Sequence, residues 1–310
     1  MKAGTKIKVV GVGGSGSNAI SRMVKYKIKG VDLIAINTDA QALRFCLSPK
    51  KVLIGENTTK GLGTGMDTVL GEKSAKESRP KIEEVLKGAE MVFIASGLGG
   101  GTGSSVSPIV AEISKNLGAL TIAVVTTPFS FEGGQRKKIA GSALEKLKEK
   151  VDTLLVVPND KVFKSITDKT KVSDAFWVCD EVLREAVEGI TDLIFTPGII
   201  NVDFADIKSI MKNAGKALFG VGRAAGENRV QTATVSAISS PLLDFSIEGA
   251  GAILFSVAGK DLTLFEINTA AKIITKNAAP QTQIIFGAIE DKRLKNGEIK
   301  ITVIATRFLK

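Results

Sequence analysis

The sequence predicts an α/β protein built on a parallel sheet, followed by a smaller α+β unit. Two observations favour this fold class. Short runs of β-branched and apolar residues alternate with helical patterns through the first half of the chain, as in βαβ units. Glycine-rich or polar segments follow several of these runs, and open parallel sheets bind ligands beyond the carboxyl ends of their strands.

The individual elements follow from local patterns. The predicted strands of the first half are the apolar runs at 6–10, 31–36, 91–95, 120–126 and 153–157. Helical patterns occupy 17–26, a stretch that begins near Ser104, 135–150 and 173–195. Beyond residue 215 the sequence predicts helices at 227–239 and 264–276 and strands at 252–257, 283–289 and 298–306.

The composition is typical of a cytoplasmic protein with about two domains. The chain has 310 residues, of which 44% are apolar, so it can bury one large core or two modest ones. No apolar run approaches the roughly 18 residues of a membrane span, and the N-terminus lacks the apolar block of a signal peptide. A cytoplasmic location without a transmembrane segment is therefore expected.

Few residue types are available for chemistry. Histidine is absent, which leaves acid–base and metal chemistry to carboxylates, lysines, hydroxyls and the backbone. The two cysteines, Cys46 and Cys179, are too few for a disulfide framework and lack metal-ligand spacing. We expect both to be buried as small apolar residues.

The net charge of +10 is concentrated at the two ends of the chain. Residues 1–30 contain seven Lys or Arg and no acid, and residues 272–310 contain eight against three. Such ends could meet an anionic membrane surface or nucleic acid, but no interleaving of arginine with aromatic residues accompanies them. We expect an ordinary solvated surface and no specific nucleic-acid partner.

The first glycine-rich segment is GVGGSGSN at 11–18. Gly11, Gly13 and Gly16 fit the dinucleotide fingerprint G-x-G-x-x-G, and Asp32 lies 21 residues after Gly11, near the usual ribose-binding position. Taken alone, the segment favours a nicotinamide or flavin enzyme. However, backbone amides at a helix N-terminus bind any phosphate, so the motif does not decide between ligands.

Three further segments make a nucleoside triphosphate the better candidate. They are NTD at 37–39, GLGTG at 61–65 and GLGGGTGSS at 97–105. The Gly-Lys-Ser/Thr signature of the commonest phosphate loop occurs nowhere in the chain. Four loops at one sheet edge can surround a triphosphate with backbone amides and helix N-termini, so a lysine is dispensable, whereas a dinucleotide needs only the first loop.

The order of several motifs resembles the tubulin/FtsZ family. Besides GGGTG at 99–103, these motifs are PFSFEGGQR at 128–136, PNDK at 158–161, NVDFAD at 201–206 and AISSPLL at 237–243. The likeness extends from about residue 7 to residue 305. It implies a Rossmann-like GTPase domain over 1–172, a long central helix with its connector over 173–200, and a smaller C-terminal domain over 201–310.

The resemblance also implies a function. Members of this family hydrolyse GTP, polymerise head to tail into protofilaments and form the cell-division ring at the septum beneath the inner membrane. A filament-forming relative that shapes cells or positions DNA is the alternative. The implied ligands are GTP or GDP with Mg²⁺ held through the phosphates, and a monovalent cation such as K⁺ is a further candidate. Membrane-tethering and division proteins are expected partners, although the C-terminal peptide that usually binds them is absent from these 310 residues.

Each of these segments contributes to the implied nucleotide site. Its residues are Gly13, Gly14, Ser15, Gly16, Ser17, Asn18, Asn37, Asp39, Gly63, Thr64, Gly65, Gly99, Gly100, Gly101, Thr102, Gly103, Pro128, Glu132, Arg136, Asn159, Phe176 and Asp180. The sequence departs from the family at Ser15, Ser17 and Ser105, where glycine is usual. It also has Met-Asp-Thr at 66–68, where Ala-Asn-Pro is common, which leaves the geometry of that loop open.

Two residues near the start of the predicted helix at 173–195 are suited to a base. Phe176 can stack on it, and Asp180, one turn later, can accept hydrogen bonds from guanine N1–H and the 2-amino group. Adenine has an acceptor at N1 and no 2-amino donor. A carboxylate at 180 would therefore select GTP over ATP, and in the family the matching positions contact guanine.

Two acids beyond this helix are candidates for catalysis. Asp203 and Asp206 are three residues apart at a predicted helix start, where they act either as capping acids or as catalytic acids. From Asp174 to Leu193 the preceding helix spans about 28 Å, so the acids cannot reach the phosphates of their own chain. If catalytic, they orient the attacking water on a neighbouring subunit's GTP, with Asn201 helping to place it.

Overall fold

A computed structural model describes residues 5–165, 169–239, 247–276 and 278–308. The chain divides into two compact units, with the boundary between Val187 and Glu188. This boundary lies inside a helix that the sequence assigns to a separate central segment over 173–200. That three-part division stays a prediction.

The first unit is built on a parallel sheet. Within the described residues its strands are β1 (Ile7–Val12), β2 (Val31–Asn37), β3 (Lys50–Leu53), β4 (Met91–Gly97), β5 (Leu120–Thr127) and β6 (Thr153–Pro158). They lie in the order β3-β2-β1-β4-β5-β6, and every neighbouring pair is parallel. The strand order reverses between β1 and β4, which is where open α/β sheets bind their ligands.

Helices connect these strands. They are α1 (Gly13–Lys25), α2 (Ala40–Phe45), α3 (Glu56–Thr59), α4 (Thr68–Glu77), α5 (Arg79–Leu86), α6 (Gly101–Asn116), α7 (Gly134–Lys150) and α8 (Val172–Phe195), with 3₁₀ turns at Ser130–Glu132 and Asn159–Ser165. All six residues of β1 and the first six of β4 are buried. Strands that are buried on both faces consist of nearly continuous apolar residues. This explains why the sequence predicts them well.

The predicted strands of the first unit are confirmed, with ends that differ by two residues or fewer. The strand β3 was not predicted, because a four-residue segment beginning with two lysines carries little apolar signal. The predicted starts of α1 at Ser17 and of α6 near Ser104 were wrong. Both helices begin within the glycine segments, at Gly13 and Gly101, so the glycines form the first helical turns and present their free amides.

The second unit is a mixed sheet with helices. Its described elements are β7 (Gly198–Ile200), α9 (Phe204–Met211), β8 (Gly215–Ala225), α10 (Arg229–Ile238), β9 (Ala250–Gly259), α11 (Leu264–Thr275), β10 (Gln283–Glu290) and β11 (Glu298–Phe308). The order is β8-β11-β9-β10-β7, in which β9 and β10 are parallel and the other neighbours antiparallel. The elements predicted here are present. The strand β8 was missed because its glycines interrupt the apolar pattern.

A buried charge cluster fixes the last turns of α8 within the second unit. Arg293 contacts Glu188 at 2.8 Å and Asp192 at 2.7 Å, and the buried Lys300 of β11 lies 3.7 and 3.8 Å from the same two acids. Burial raises the pKa of Asp192, although both cations oppose this effect. The cluster holds the segment that leads into the acids at 203 and 206.

A close approach of backbones fixes α1 against the sheet. A Cβ atom at Gly16 would lie 2.5 Å from the carbonyl oxygen of Ala95 in β4 and 2.7 Å from the carbonyl carbon of Gly11. Both neighbours are main-chain atoms that cannot rotate away. Glycine at 16 is therefore required for the helix to start directly on the sheet.

We predict that Gly16→Ala lowers the free energy of unfolding by about 1–3 kcal/mol, because the added methyl forces α1 away from β4. The measurement is urea unfolding of the nucleotide-free protein. Gly14→Ala is the matched control: in the described structure a Cβ there meets no atom within 4 Å. It should leave stability unchanged or raise it by up to about 1 kcal/mol through helix propensity. Equal stability of the two variants would contradict the argument.

Candidate functional site

A cavity of about 290 Å³ lies at the carboxyl ends of the central strands of the first unit. It is lined by Gly14, Ser15, Thr64, Gly97, Leu98, Gly100, Gly101, Thr102, Gly103, Thr126, Pro128, Glu132, Arg136, Asn159, Phe176, Cys179 and Asp180. Other hollows in this unit are larger, at about 570, 540 and 300 Å³. We identify the cavity of 290 Å³ as the site because four glycine-containing or polar segments converge on it. Asn159 Oδ1 in its wall is also buried, and it has no hydrogen-bond partner among the residues that the structure describes.

The first loop lines this cavity with Gly14 and Ser15. Gly13 has a φ of +73°, and a Cβ there would lie 3.0 Å from the amide nitrogen of Gly103. The first and fourth loops are thus in main-chain contact, which only glycine permits. Ser15 fits because its neighbour across the loop is Gly97, where a Cβ would lie 2.8 Å from the serine Cβ.

The loop before α6 forms the floor of the cavity. Gly99 has a φ of +107°, and its N–H donates to Ser104 Oγ at 2.8 Å. Gly101, Thr102 and Gly103 make up the first turn of α6, where backbone N–H groups have no partner inside the helix. These amides and the helix dipole make a site for an anion such as a phosphate.

Ser105, which replaces the family's glycine, lies inside α6, and its hydroxyl donates to the carbonyl of Gly101 at 2.8 Å. The serine is accommodated because Gly71 of α4 faces it: a Cβ at Gly71 would lie 2.2 Å from Ser105 Oγ. Leu98 is buried, as expected for a residue packed beneath the loop.

Threonine hydroxyls connect three of the loops. Thr102 Oγ1 lies 2.7 Å from Thr38 Oγ1 and 3.2 Å from Thr64 Oγ1. The loop at 61–65 is also bound to the second loop through its main chain, because Gly63 N–H donates to the Thr38 carbonyl at 3.2 Å. The loops therefore form one connected structure rather than independent turns.

Asn37 and Asp39 support this structure and do not line the cavity. Asn37 Oδ1 accepts from the N–H groups of Thr38 and Asp39, at 2.9 and 3.3 Å, and its Nδ2 is buried without a partner. Asp39 caps α2 by accepting from Ala42 N–H at 2.9 Å. Of the residues predicted to bind nucleotide, Gly13, Gly16, Ser17, Asn18, Asn37, Asp39, Gly63, Gly65 and Gly99 lie outside the cavity lining.

The loop at 66–68, whose geometry the sequence left open, is a helix start. Met66 has a φ of +72°, and Asp67 caps α4 by accepting from the N–H groups of Val69 and Leu70 at 2.8 and 3.0 Å. The capping aspartate gives the loop a defined end without the usual Ala-Asn-Pro.

The segment after β5 forms another wall. Glu132 Oε1 accepts from Phe129 N–H at 2.9 Å, and its Oε2 lies 3.7 Å from Arg136 Nε. Arg136 in turn lies against Gly99 through its Cβ and carbonyl oxygen. One acid and one arginine thus belong to the lining of the cavity, with the arginine next to the glycine loop.

An aromatic residue of α8, Phe176, also lines the cavity. Phe176 is 39% exposed, and its ring packs edge-on against the buried ring of Phe129, with centroids 5.2 Å apart. Phe129 also stacks on Phe131 at 5.0 Å. An aromatic ring with one free side, held in place by a second ring, is suited to stacking on a base.

Asp180 is a buried carboxylate beside this ring. It accepts from Arg22 Nε and Nη2 at 3.3 and 3.2 Å and from Ser15 Oγ at 3.4 Å. Burial raises its pKa to about 6, and Arg22 and Ser15 oppose the shift. Its neighbour Cys179, predicted as a buried apolar residue, is buried, and desolvation raises the pKa of its thiol to about 12.

The acids of the second unit have a local structural role. Asp203 precedes α9 and its N–H donates to Asp206 Oδ2 at 3.3 Å, while Asn201 Oδ1 accepts from Gly198 N–H at 2.8 Å. Asp206 thus caps the start of α9, and the catalytic role of these residues stays a prediction. Because all three residues are exposed, the structure leaves their side chains accessible to another molecule.

Sequence reasoning missed several residues at the site. Gly97, Leu98 and Thr126 line the cavity because they end β4 and β5, and strand ends beside known loops are a usable signal for them. Arg22 lies six residues beyond Gly16, the last glycine of the first loop, and belongs to no motif, so only the fold brings it to Asp180.

None of the helices in the described part of the chain has the length and apolar character of a membrane span. The same residues contain no group of three or more cysteines and acids arranged to hold a metal.

Comparisons with known proteins agree with this geometry. Residues 6–167 match the Tubulin/FtsZ family, GTPase domain, and residues 215–309 match the FtsZ family, C-terminal domain. An empty FtsZ dimer from M. jannaschii is 45% identical, with a TM-score of 0.94 over 99% of this chain and 89% of the other. CetZ2 from Haloferax volcanii, in a GTPγS-bound protofilament, is 22% identical, with a TM-score of 0.83 over 97% and 92%. The second likeness shows the fold alone, but the family matches and the first likeness go further: this chain belongs to the tubulin/FtsZ family of GTPases.

Proposed function

We propose that this protein binds and hydrolyses GTP, polymerises head to tail into protofilaments and forms the cell-division ring. The observation that carries the proposal is a cavity whose lining combines the first helical turns of two glycine-rich loops, threonine hydroxyls, an aromatic ring and a buried carboxylate. A nucleoside triphosphate with a guanine base needs these chemical groups. The 45% identity to M. jannaschii FtsZ favours division over the alternative filament functions.

The phosphate end explains why no lysine is needed. Amides from the first turns of α1 and α6 converge with the Thr64 and Thr102 hydroxyls, and helix dipoles add partial positive charge. Amide N–H groups bind the phosphates and not a cation, so Mg²⁺ would be held mainly through the nucleotide phosphates and its own waters rather than by a protein cage. When bound, the ion would offset the charge on the transferring phosphoryl group. A site for K⁺ stays a prediction.

The base end explains a preference for guanine. Phe176 offers its free face for stacking, and the ionised Asp180 accepts from the guanine N1–H and 2-amino groups. Glu132 also lines the cavity, and we propose that it accepts from the ribose hydroxyls. Adenine would place its N1 acceptor against a carboxylate that has no proton to donate.

Hydrolysis is proposed to need a second molecule. Within the cavity lining no carboxylate lies among the phosphate-binding residues: its two acids, Glu132 and Asp180, belong to the ribose and base ends. The exposed Asp203 and Asp206, with Asn201, would orient the attacking water on the next subunit's GTP. Acids on one surface and nucleotide on another form a head-to-tail contact, which builds a filament.

Exposed apolar side chains near both surfaces support self-association. Leu62 and Val69 flank the loop at 63–65 and are 85% and 60% exposed. Ile199, two residues before Asn201, is 65% exposed. A partner that covers these side chains would remove apolar surface from water, which favours association. A cytoplasmic protein at the septum, with separate membrane-tethering partners, is the cellular role that we infer from the family.

We predict that GTP with Mg²⁺ raises the melting temperature and yields sedimentable polymer, whereas ATP and NAD at the same concentration do neither. The reason is the Asp180 carboxylate, which adenine cannot satisfy. Thermal shift and pelleting on the same samples check this. Stabilisation by NAD instead of GTP would contradict the proposal and favour a dinucleotide enzyme.

We predict that Asp206→Ala binds GTP normally but hydrolyses it at least about 100-fold more slowly, as expected when a water-positioning group is lost. Asp180→Ala should fail at binding instead. Mixing the two inactive variants should restore part of the GTPase activity, because Asp206 of one chain then meets GTP held by the other. A mixture as inactive as its components would argue against catalysis between subunits.

We predict that Ile199→Ser raises the critical concentration for polymerisation roughly tenfold, since burying an aliphatic side chain contributes about 1.5–3 kcal/mol. GTP affinity should stay unchanged. Val235→Ser is the control, because Val235 is also an exposed aliphatic residue, at 50%, but lies on α10. Sedimentation against protein concentration gives the comparison, and equal critical concentrations would remove Ile199 from the contact.

A further inference from the structure

Arg22 connects α1 to the base end of the cavity. Its Nε and Nη2 donate to a single oxygen of Asp180, Oδ2, at 3.3 and 3.2 Å. Its guanidinium also lies over the ring of Trp177, 5.3 Å from the ring centre. The side chain of Arg22 is 21% exposed and that of Asp180 9%, so the pair is only weakly screened by solvent.

The bonds of Arg22 leave room for a base. Ser15 Oγ donates to the other oxygen of Asp180, Oδ1, at 3.4 Å. An ionised carboxylate has about four lone-pair positions; Oδ2 already accepts two hydrogen bonds and Oδ1 one, so one position remains, on Oδ1. One of the two guanine donors, N1–H or the 2-amino group, can take this position, and the other can replace the Ser15 contact, which is the longest of the three at 3.4 Å. The base can therefore bind without displacing Arg22.

The other ionisable groups around Asp180 do not replace Arg22. On α8 the neighbours are Cys179, a neutral thiol because burial raises its pKa to about 12, and the acid Glu181. The wall after β5 contributes Glu132 and Arg136, which lie 3.7 Å from each other. Among the described residues, Arg22 is the cation that forms an ion pair with Asp180.

We propose that Arg22 is a positioning residue for nucleotide selection, which keeps the Asp180 carboxylate ionised and oriented so that the site accepts guanine and rejects adenine. The inference rests on the proposed binding of GTP. A protonated Asp180 would carry an O–H donor that adenine N1 can accept, and it would lose one of its acceptor positions for guanine. Burial alone favours that protonated form, and the positive charge of Arg22 opposes it.

The chain offers a direct readout of binding. Trp177 is its single tryptophan, is 42% exposed and lies one residue from Phe176, so its emission should report occupation of the base end. GTP and ATP affinities can be titrated by this signal between about pH 5 and pH 9 on the full chain, below the polymerisation threshold. Fitting Kd rather than amplitude removes the direct effect of Arg22 on the fluorescence.

Two substitutions of Arg22 distinguish the effect of its positive charge from the effect of its two-pronged contact with Asp180. Arg22→Met keeps a long side chain without charge, and Arg22→Lys keeps the charge without the two-pronged contact. Lys25→Met removes one positive charge from the same helix, at a residue that is not bonded to Asp180. Asp180→Asn carries no titrating carboxyl and should keep only the pH dependence that the titrating phosphate of GTP gives to every variant.

In the wild type we expect GTP affinity to fall below about pH 6, the pKa of Asp180. In Arg22→Met the fall should begin at higher pH, so that Kd at pH 7 rises between about twofold and a hundredfold and recovers towards pH 9, while the preference over ATP shrinks. The pH dependence of Kd for Arg22→Lys should lie between those of the wild type and Arg22→Met. The pH dependence for Lys25→Met should match that of the wild type.

Two results would overturn the inference: an Arg22→Met profile that coincides with the wild type, or a loss of affinity that is the same at every pH and reflects packing only. Absence of any GTP response in the wild type would instead mean failure of the proposed function itself.

Discussion

The site depends on the close approach of main chains at one edge of a parallel sheet. Gly16 lets α1 start directly on β4, and Gly13 brings the first loop against Gly103 of α6. Thr102 then joins this pair of loops to two others through its hydroxyl. Because the amides of two helix starts meet at this edge, the backbone provides the phosphate-binding donors that other nucleotide sites obtain from a lysine.

We assign nucleotide binding and catalysis to different units of the chain. The first unit contains the loop amides, the aromatic ring and the buried Asp180, to which we assign nucleotide binding. The acids assigned to catalysis lie in the second unit, where Asp203 and Asp206 also cap α9. A capping role and a catalytic role are compatible, because the cap uses the Asp203 N–H and one Asp206 oxygen and leaves both carboxylates exposed.

Much of this could be predicted from the sequence, since buried parallel strands are continuous apolar runs and the glycine segments follow them. The sequence could not show that those segments are helical turns, because glycine has low helix propensity and only the packed sheet imposes the turn at Gly13 and Gly101. It also missed β8, whose glycines hide its pattern, and Arg22, which reaches Asp180 across 158 residues of chain. Local sequence patterns are enough to predict the loops. Charged partners that are distant in the sequence, such as Arg22 and Asp180, can be identified only from the fold.

The most direct test of the account is GTPase activity per molecule as a function of protein concentration, with sedimentation of the same samples. If each active site is completed by the next subunit, turnover per molecule should be near zero at low concentration and rise at the concentration where polymer first appears. Turnover per molecule that is constant across the range, with or without polymer, would contradict catalysis between subunits and place the catalytic groups within one chain.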